Sequence, residues 1–291
     1  MTLVLFIQNP LPDPVTATGF VAGGSLVQRG LPAVERLVNL GYDMASEIAV
    51  ITPGMKRTMV ERRVPESKVT VVYNWTDESA SACNTDGPGL RARLNIPETY
   101  LVLVYAGNHG PAQGLGSWIE AMRLLGSSRD IHLVLIGSGL AKPGLMKQAA
   151  KWTNVEFVDA VPRDCVNAAL ADCDALVVSL ANEPLFEITL PGKVQSCLEM
   201  GKPIVASVAG DAADVIGDSG GGWCAPPEDP VAIAEMVSNV AGVPWEEMHS
   251  VGSRGRDFYF ANMSRAQGVE QVRNLLVSAS LKRNPRTKDR S

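Results

Sequence analysis

The chain has 291 residues, 46% hydrophobic and 20% charged, with a formal net charge of -5, a globular composition with room for about two domains. That balance argues against a nucleic-acid partner, whose binding face would carry a basic field, and favours a small molecule. Cys83, Cys165, Cys173, Cys197 and Cys224 never form a Cys-x-x-Cys pair, and His109, His132 and His249 stand far apart, so neither a disulfide framework nor a metal site is expected and a reducing cytoplasm fits.

In chain order, Leu3 to Ile7 reads as a core strand, too short for a leader or a membrane span before Gln8. A proline-bearing loop follows to Gly19, then a helical rhythm at Leu31, Val34, Leu37, Val38 and Leu40. Ala45 to Thr52 reads as a second strand. Thr52-Pro53-Gly54 opens a short helix, proline being suited to the first turn, and Lys68 to Tyr73 is a third strand. The small polar stretch 78–89 marks a domain boundary. The segment before it is short enough to be marginal as a domain, and reads as incomplete.

Beyond the boundary, strands at 101–106, 131–136, 155–158, 174–179 and 203–206 alternate with helices at 117–126, 143–152, 164–171, 192–200 and 211–217. This alternation predicts a parallel sheet covered on both faces, with ligands at the carboxyl ends of its strands. A last helix, about Arg265 to Ser280, has Ser264 and Gln267 in capping-box spacing, and the basic end after it reads as a solvated tail. The expected domains are therefore 1–77, 78–248, a helical segment 249–280 that packs back towards the first domain, and a tail 281–291.

Three loops are expected at the carboxyl edge: Gly107 to Gly116, Gly137-Ser138-Gly139, and Asn182 to Lys193. The first is either an ordinary strand-to-helix turn or one whose free amides hold an anion. In the third, Glu187, Thr189 and Lys193 precede a helix, so Lys193 either faces an anion with the helix-start amides or pairs with Glu187 at the surface.

Tyr105-Ala106-Gly107-Asn108 with Gly110, Gln113, Gly114 and Leu115, then Gly137-Ser138-Gly139, Val155-Glu156-Phe157 to Pro162, Leu190-Pro191-Gly192-Lys193 and Gly201-Lys202-Pro203-Ile204 follow one another in the order of a known pattern. They resemble the donor domain of GT-B fold glycosyltransferases of family 4, in the branch similar to bacterial O-antigen and capsule amino-sugar transferases. Pro12-Asp13-Pro14, Ala17-Thr18-Gly19, Thr52 to Lys56 and Asn74 to Asp77 resemble the closing part of the acceptor domain and the hinge. The resemblance implies a Rossmann-like donor domain preceded by a truncated acceptor domain. The function it implies is transfer of a hexose-type sugar, with retention, from a nucleoside diphosphate sugar, most often a uridine one, to a lipid-linked or glycan acceptor in cell-envelope polysaccharide biosynthesis.

The donor sugar nucleotide is then the substrate, with no separate cofactor or metal. The protein would be cytoplasmic, with peripheral contact to the inner membrane face. Lys193 and Glu187 are the implied catalytic residues. Gly107, Asn108, Gly110, Gln113, Gly114, Gly137, Ser138, Gly139, Val161, Thr189, Leu190 and Ser196 are the implied donor contacts. Ser196 stands where many members carry a second glutamate, Gln113 where a basic residue is common, Gly192 where serine is usual, and Asp159-Ala160 where a glycine turn is usual. The family's opening hundred or so residues have no counterpart. The alternatives are a catalytically impaired nucleotide-sugar binder, one half of a split transferase with a separate amino-terminal partner, and a GT-B-like sugar-nucleotide epimerase.

Overall fold

The computed structural model describes residues 2–8, 36–78, 89–126, 130–162 and 165–283. Pro12 to Gly19, Leu31, Val34, Cys83 and the basic tail from residue 284 lie outside the described residues. The chain forms two compact units. One comprises 1–75, 183–190 and 261–291; the other comprises 76–182 and 191–260.

The second unit is built on a six-stranded sheet of order β6-β5-β4-β7-β8-β9. Its strands are β4 Leu101–Ala106, β5 Ile131–Ile136, β6 Val155–Val158, β7 Ala175–Ser179, β8 Ile204–Ser207 and β9 Gly222–Ala225, all parallel to their neighbours. β5, β7 and β8 are buried at every position, which is why they read as unbroken apolar runs rather than alternating ones. The chain travels outward from β4 through β5 to β6, then returns to lay β7 on the other side of β4. That reversal opens a crevice at the carboxyl ends of β4 and β7, where sheets of this kind receive ligands.

The helix Leu115–Leu125 starts at Gly114 in the left-handed region and buries Leu115, Trp118, Ile119 and Met122. Trp118, Ile119 and Met122 lie on one face, as the i, i+1, i+4 spacing predicts. They join Leu103, Tyr105, Leu133 and Ile233 in one core.

Among the elements not anticipated, three show why. The helix Leu90–Leu94 is short, and Arg91 anchors it through Asp174 at 2.5 Å and the Asp172 carbonyl, both remote in sequence, as well as through the nearby carbonyls of Pro97 and Tyr100. β9 is hidden by its glycine: a Cβ on Gly222 would fall 2.1 Å from the Ile204 carbonyl oxygen, so only glycine permits the close pairing with β8. The helix Pro230–Val240 is capped by Asp229, which accepts from the Val231 and Ala232 amides, both at 3.0 Å. The expectation of unpaired cysteines is corrected at Cys165, which is disulfide-bonded. Cys173, Cys197 and Cys224 are free thiols.

The first unit carries a parallel sheet of order β1-β2-β3, formed by Val4–Ile7, Glu47–Val50 and Val69–Val71. A helix covers 36–44. The helix Pro53–Glu61 begins as expected: Thr52 Oγ1 accepts from the Met55 amide at 3.1 Å, and Met55 and Met59 are fully buried. The helix Arg265–Arg283 lays Leu275 and Val272 on Ala49 and Val72. Its Ser278 hydroxyl and Lys282 ammonium both reach the buried Glu47 carboxylate, at 2.6 and 2.7 Å, so that carboxylate is not left unpaired. The Ser264 cap is loose, with the Gln267 amide at 3.5 Å. Among the described residues no helix is long and apolar enough to cross a membrane.

Candidate functional site

At the carboxyl edge of the second unit, the turns after β4 and β5 lie back to back. Gly107, Gly137 and Gly139 have φ of +149, +144 and +153°, a region open essentially to glycine. A Cβ on Gly137 would sit 1.9 Å from the Gly107 carbonyl oxygen, and one on Gly139 would sit 2.5 Å from Asn108 Oδ1. The glycines are thus required by the contact between two turns as well as by backbone direction. The His109 amide donates to the Ser138 carbonyl at 2.7 Å and ties the turns together.

Two cavities open here, each of about 310 Å³, and both have Ala106 and Val166 in their walls. One is lined by Gly107, Asn108, Gly137, Ser138 and Val161. The other is lined by Lys193, Ser196, Thr76, Asp77 and Glu199, with Val104, Leu176 and Leu170 as apolar wall.

Lys193 stands in the first turn of the helix Gly192–Met200, which follows Pro191 and has no side-chain cap. Its Nζ lies 3.2 Å from the centre of the Tyr105 ring and makes no hydrogen bond. A Cβ on Gly107 would come within 3.1 Å of it. The amine is therefore seated directly under the first glycine turn. Burial pulls its pKa down to about 7, opposed only by Cys197, whose own thiol is pushed up to about 12 by burial. The surface ion pair entertained for Lys193 does not form.

The remaining sequence-selected residues divide. Gln113 works beneath the loop: its Oε1 accepts from the Tyr105 hydroxyl at 3.1 Å and its carbonyl accepts from Ser179 Oγ at 2.5 Å. Gly110 and Gly114 bracket the 3-10 turn Pro111–Gln113. Ser196 Oγ is turned back to the Gly192 carbonyl at 3.1 Å. Glu187, Thr189 and Leu190 belong to the segment 183–190, which groups with the first unit. There Thr189 Oγ1 donates to the Leu185 carbonyl at 2.7 Å, Thr52 Oγ1 donates to the Ile188 carbonyl at 2.8 Å, and Leu190 is buried. The sequence expectation had placed this stretch with the glycine turns on the second unit. Proximity along the chain to Lys193 masked the change of unit.

Two residues near the edge were overlooked. Tyr105, singled out only as part of a motif, is wholly buried and supplies the ring under Lys193. His109 is also wholly buried, its ring 5.8 Å from that of Tyr105 and 6.2 Å from that of Phe157, with neither nitrogen bonded. Burial first, then the charge of Lys142, hold it below the usual histidine range. The signal for both lay in their place at the carboxyl end of β4, beside the glycines.

The doubly covered parallel sheet with its paired glycine turns is an α/β arrangement of the GT-B kind. Residues 100–242 match the family described as glycosyl transferases group 1, and that match together with the named relatives indicates a transferase enzyme. The chain is 26% identical over 290 residues to the Pseudomonas aeruginosa protein named probable glycosyltransferase WbjE, covering 96% of this chain and 70% of that one. It is 22% identical over 230 residues to the lipopolysaccharide 1,2-N-acetylglucosaminetransferase of Salmonella typhimurium, covering 75% and 59%. The crystal structure of HepE from Anabaena in complex with UDP superposes with a TM-score of 0.74 at 17% identity, covering 95% of this chain and 72% of that one.

Proposed function

We propose that the second unit binds a nucleoside diphosphate sugar, with uridine as the nucleoside, and that the protein transfers the sugar with retention to a lipid-linked or glycan acceptor in envelope polysaccharide synthesis. The observation that carries the reading is the Lys193 amine, buried without a partner beneath Gly107 at the switch point of the sheet. An unpaired buried cation is costly, and a diphosphate arriving at the turn would supply the missing anion through charge-assisted hydrogen bonds.

The adjoining cavity, walled by Gly137, Ser138 and Val161, has the size and mixed lining of a base pocket. Loop amides near Gly110 would share the phosphate charge, and stabilisation of the departing diphosphate would be the main catalytic contribution. The names of the relatives, a lipopolysaccharide N-acetylglucosaminetransferase among them, support the polymer class of the product, and the UDP held by HepE supports the donor class.

Titration calorimetry with UDP and with UDP-glucose tests this directly. Saturable binding of both, with release of UDP when a glycan acceptor is added, is the expected result. Binding without release would leave a donor-binding protein that does not transfer, and isomerised sugar nucleotide without acceptor would identify an epimerase. No binding of either nucleotide overturns the reading.

A further inference from the structure

The Lys193 amine raises a question that the donor-site reading does not answer: what occupies its charge before a donor arrives. Among the described residues, the groups around it come from several elements. From β4 comes the Tyr105 ring, whose phenol is held above its ordinary range by burial and donates to the Asn108 carbonyl at 2.7 Å. From its own helix comes Cys197, a thiol pushed up to about 12. From the loop after β4 comes His109, held below the usual range.

Lys142, on the helix after β5, is committed to the Gly137 and Val158 carbonyls and to Asp159. Asp77 and Glu199 line the same cavity; Glu199 accepts from Thr76 Oγ1 at 2.8 Å, and neither donates to or accepts from Lys193 Nζ. Among the described residues the seat thus offers a cation the face of one aromatic ring and no hydrogen-bond acceptor.

Building on the donor-site reading, we propose that Tyr105 is the positioning residue of this site, its ring storing Lys193 as a dry amine beneath Gly107 that takes up a proton together with the diphosphate. The balance is simple: the neutral amine gains a proton from solvent, becomes ammonium, and pairs with the phosphate oxygens as they arrive. The drop of the Lys193 pKa to about 7 agrees with the geometry. Donor affinity would then be flat below neutrality and fall about tenfold per pH unit above it.

The test is calorimetry of UDP-glucose binding to the full chain at about pH 6.5 and about pH 8.5, each in two buffers of different ionisation enthalpy. UDP-glucose carries no phosphate that titrates between these values, so the buffer dependence counts protons taken up by the protein. Close to one proton per bound donor at the higher pH is expected, and little at the lower. Lys193→Arg, charged throughout, should bind with no uptake at either pH. Tyr105→Phe keeps the ring and removes the phenol, and should retain the uptake. Binding at both pH values without uptake, uptake that persists in Lys193→Arg, or uptake lost in Tyr105→Phe would overturn the proposal while leaving the donor site standing. Absence of UDP-glucose binding at both pH values would instead remove the donor site itself, and this proposal with it.

Discussion

Two lysines flank the same glycine turns and are treated in opposite ways. Lys142, below the Gly137 turn, gives its three protons to the Gly137 carbonyl at 2.8 Å, the Val158 carbonyl at 3.2 Å and Asp159 Oδ1 at 2.8 Å. Lys193, below the Gly107 turn, gives its protons to no one. The first closes the ends of β5 and β6 as a fixed part of the scaffold. The second has no hydrogen-bond partner among the described residues, and the proposed donor diphosphate would supply one. A buried lysine with satisfied donors holds a fold together, whereas one without them is kept at the expense of stability, and that contrast separates structure from function more sharply than exposure or charge.

The contrast depends first on the turns holding their shape. Gly137→Ala should give the largest effect, because its Cβ would collide with the Gly107 carbonyl oxygen at 1.9 Å in a backbone with φ +144°. Strain and overpacking together are expected to remove about 3 kcal/mol or more, read as a lowered midpoint in urea unfolding. A near-unchanged midpoint would mean that the two turns are not packed as described.

Next comes Lys193→Met, where the two lysines should part company. Donor affinity should fall by about 2 kcal/mol, roughly 30-fold, with loss of a charge-assisted contact, while the free protein becomes more stable at neutral pH because a buried amine is gone. The sign with pH follows from proton counting. Between about pH 7, where folded Lys193 loses its proton, and about pH 10.4, where the unfolded side chain does, the unfolded state binds more protons. Stability therefore rises with pH across that window. In Lys193→Met this rise should disappear, as measured by urea midpoints over the same range. A destabilised Lys193→Met would place Lys193 with Lys142 among the structural lysines.

The sheet of the second unit could be read from sequence because its signal is local. Runs such as Ile131 to Ile136 are long, mostly apolar and closed by a glycine, and this one became a strand of the same limits. The elements that escaped depend on contacts from elsewhere. Leu90–Leu94 is held by Arg91 reaching Asp174, and β9 by a glycine chosen for closeness to Ile204. The site divides in the same way. Lys193 and the glycines announced themselves by spacing, but no spacing reveals that Tyr105 lies under the amine, that Gln113 braces the loop from below, or that Glu187 and Thr189 fold with the first unit.

Lys142→Met tests the other half of the contrast. It should leave the Gly137 and Val158 carbonyls short of a donor and destabilise the unit by about 1–3 kcal/mol, with the loss seen in the unfolding midpoint and donor affinity changed far less than in Lys193→Met. Asp159→Asn then asks which of the Lys142 contacts matters. Asp159 is fully exposed, and although Lys142 holds its carboxyl below the usual range, water and salt compete for both charges. Two carbonyl acceptors remain after the substitution, so the melting temperature of Asp159→Asn should match that of the parent. A clear drop would show that the ion pair, rather than the carbonyls, fixes Lys142, and the lysine would then be poised more like its neighbour across the turns than the hydrogen-bond geometry implies.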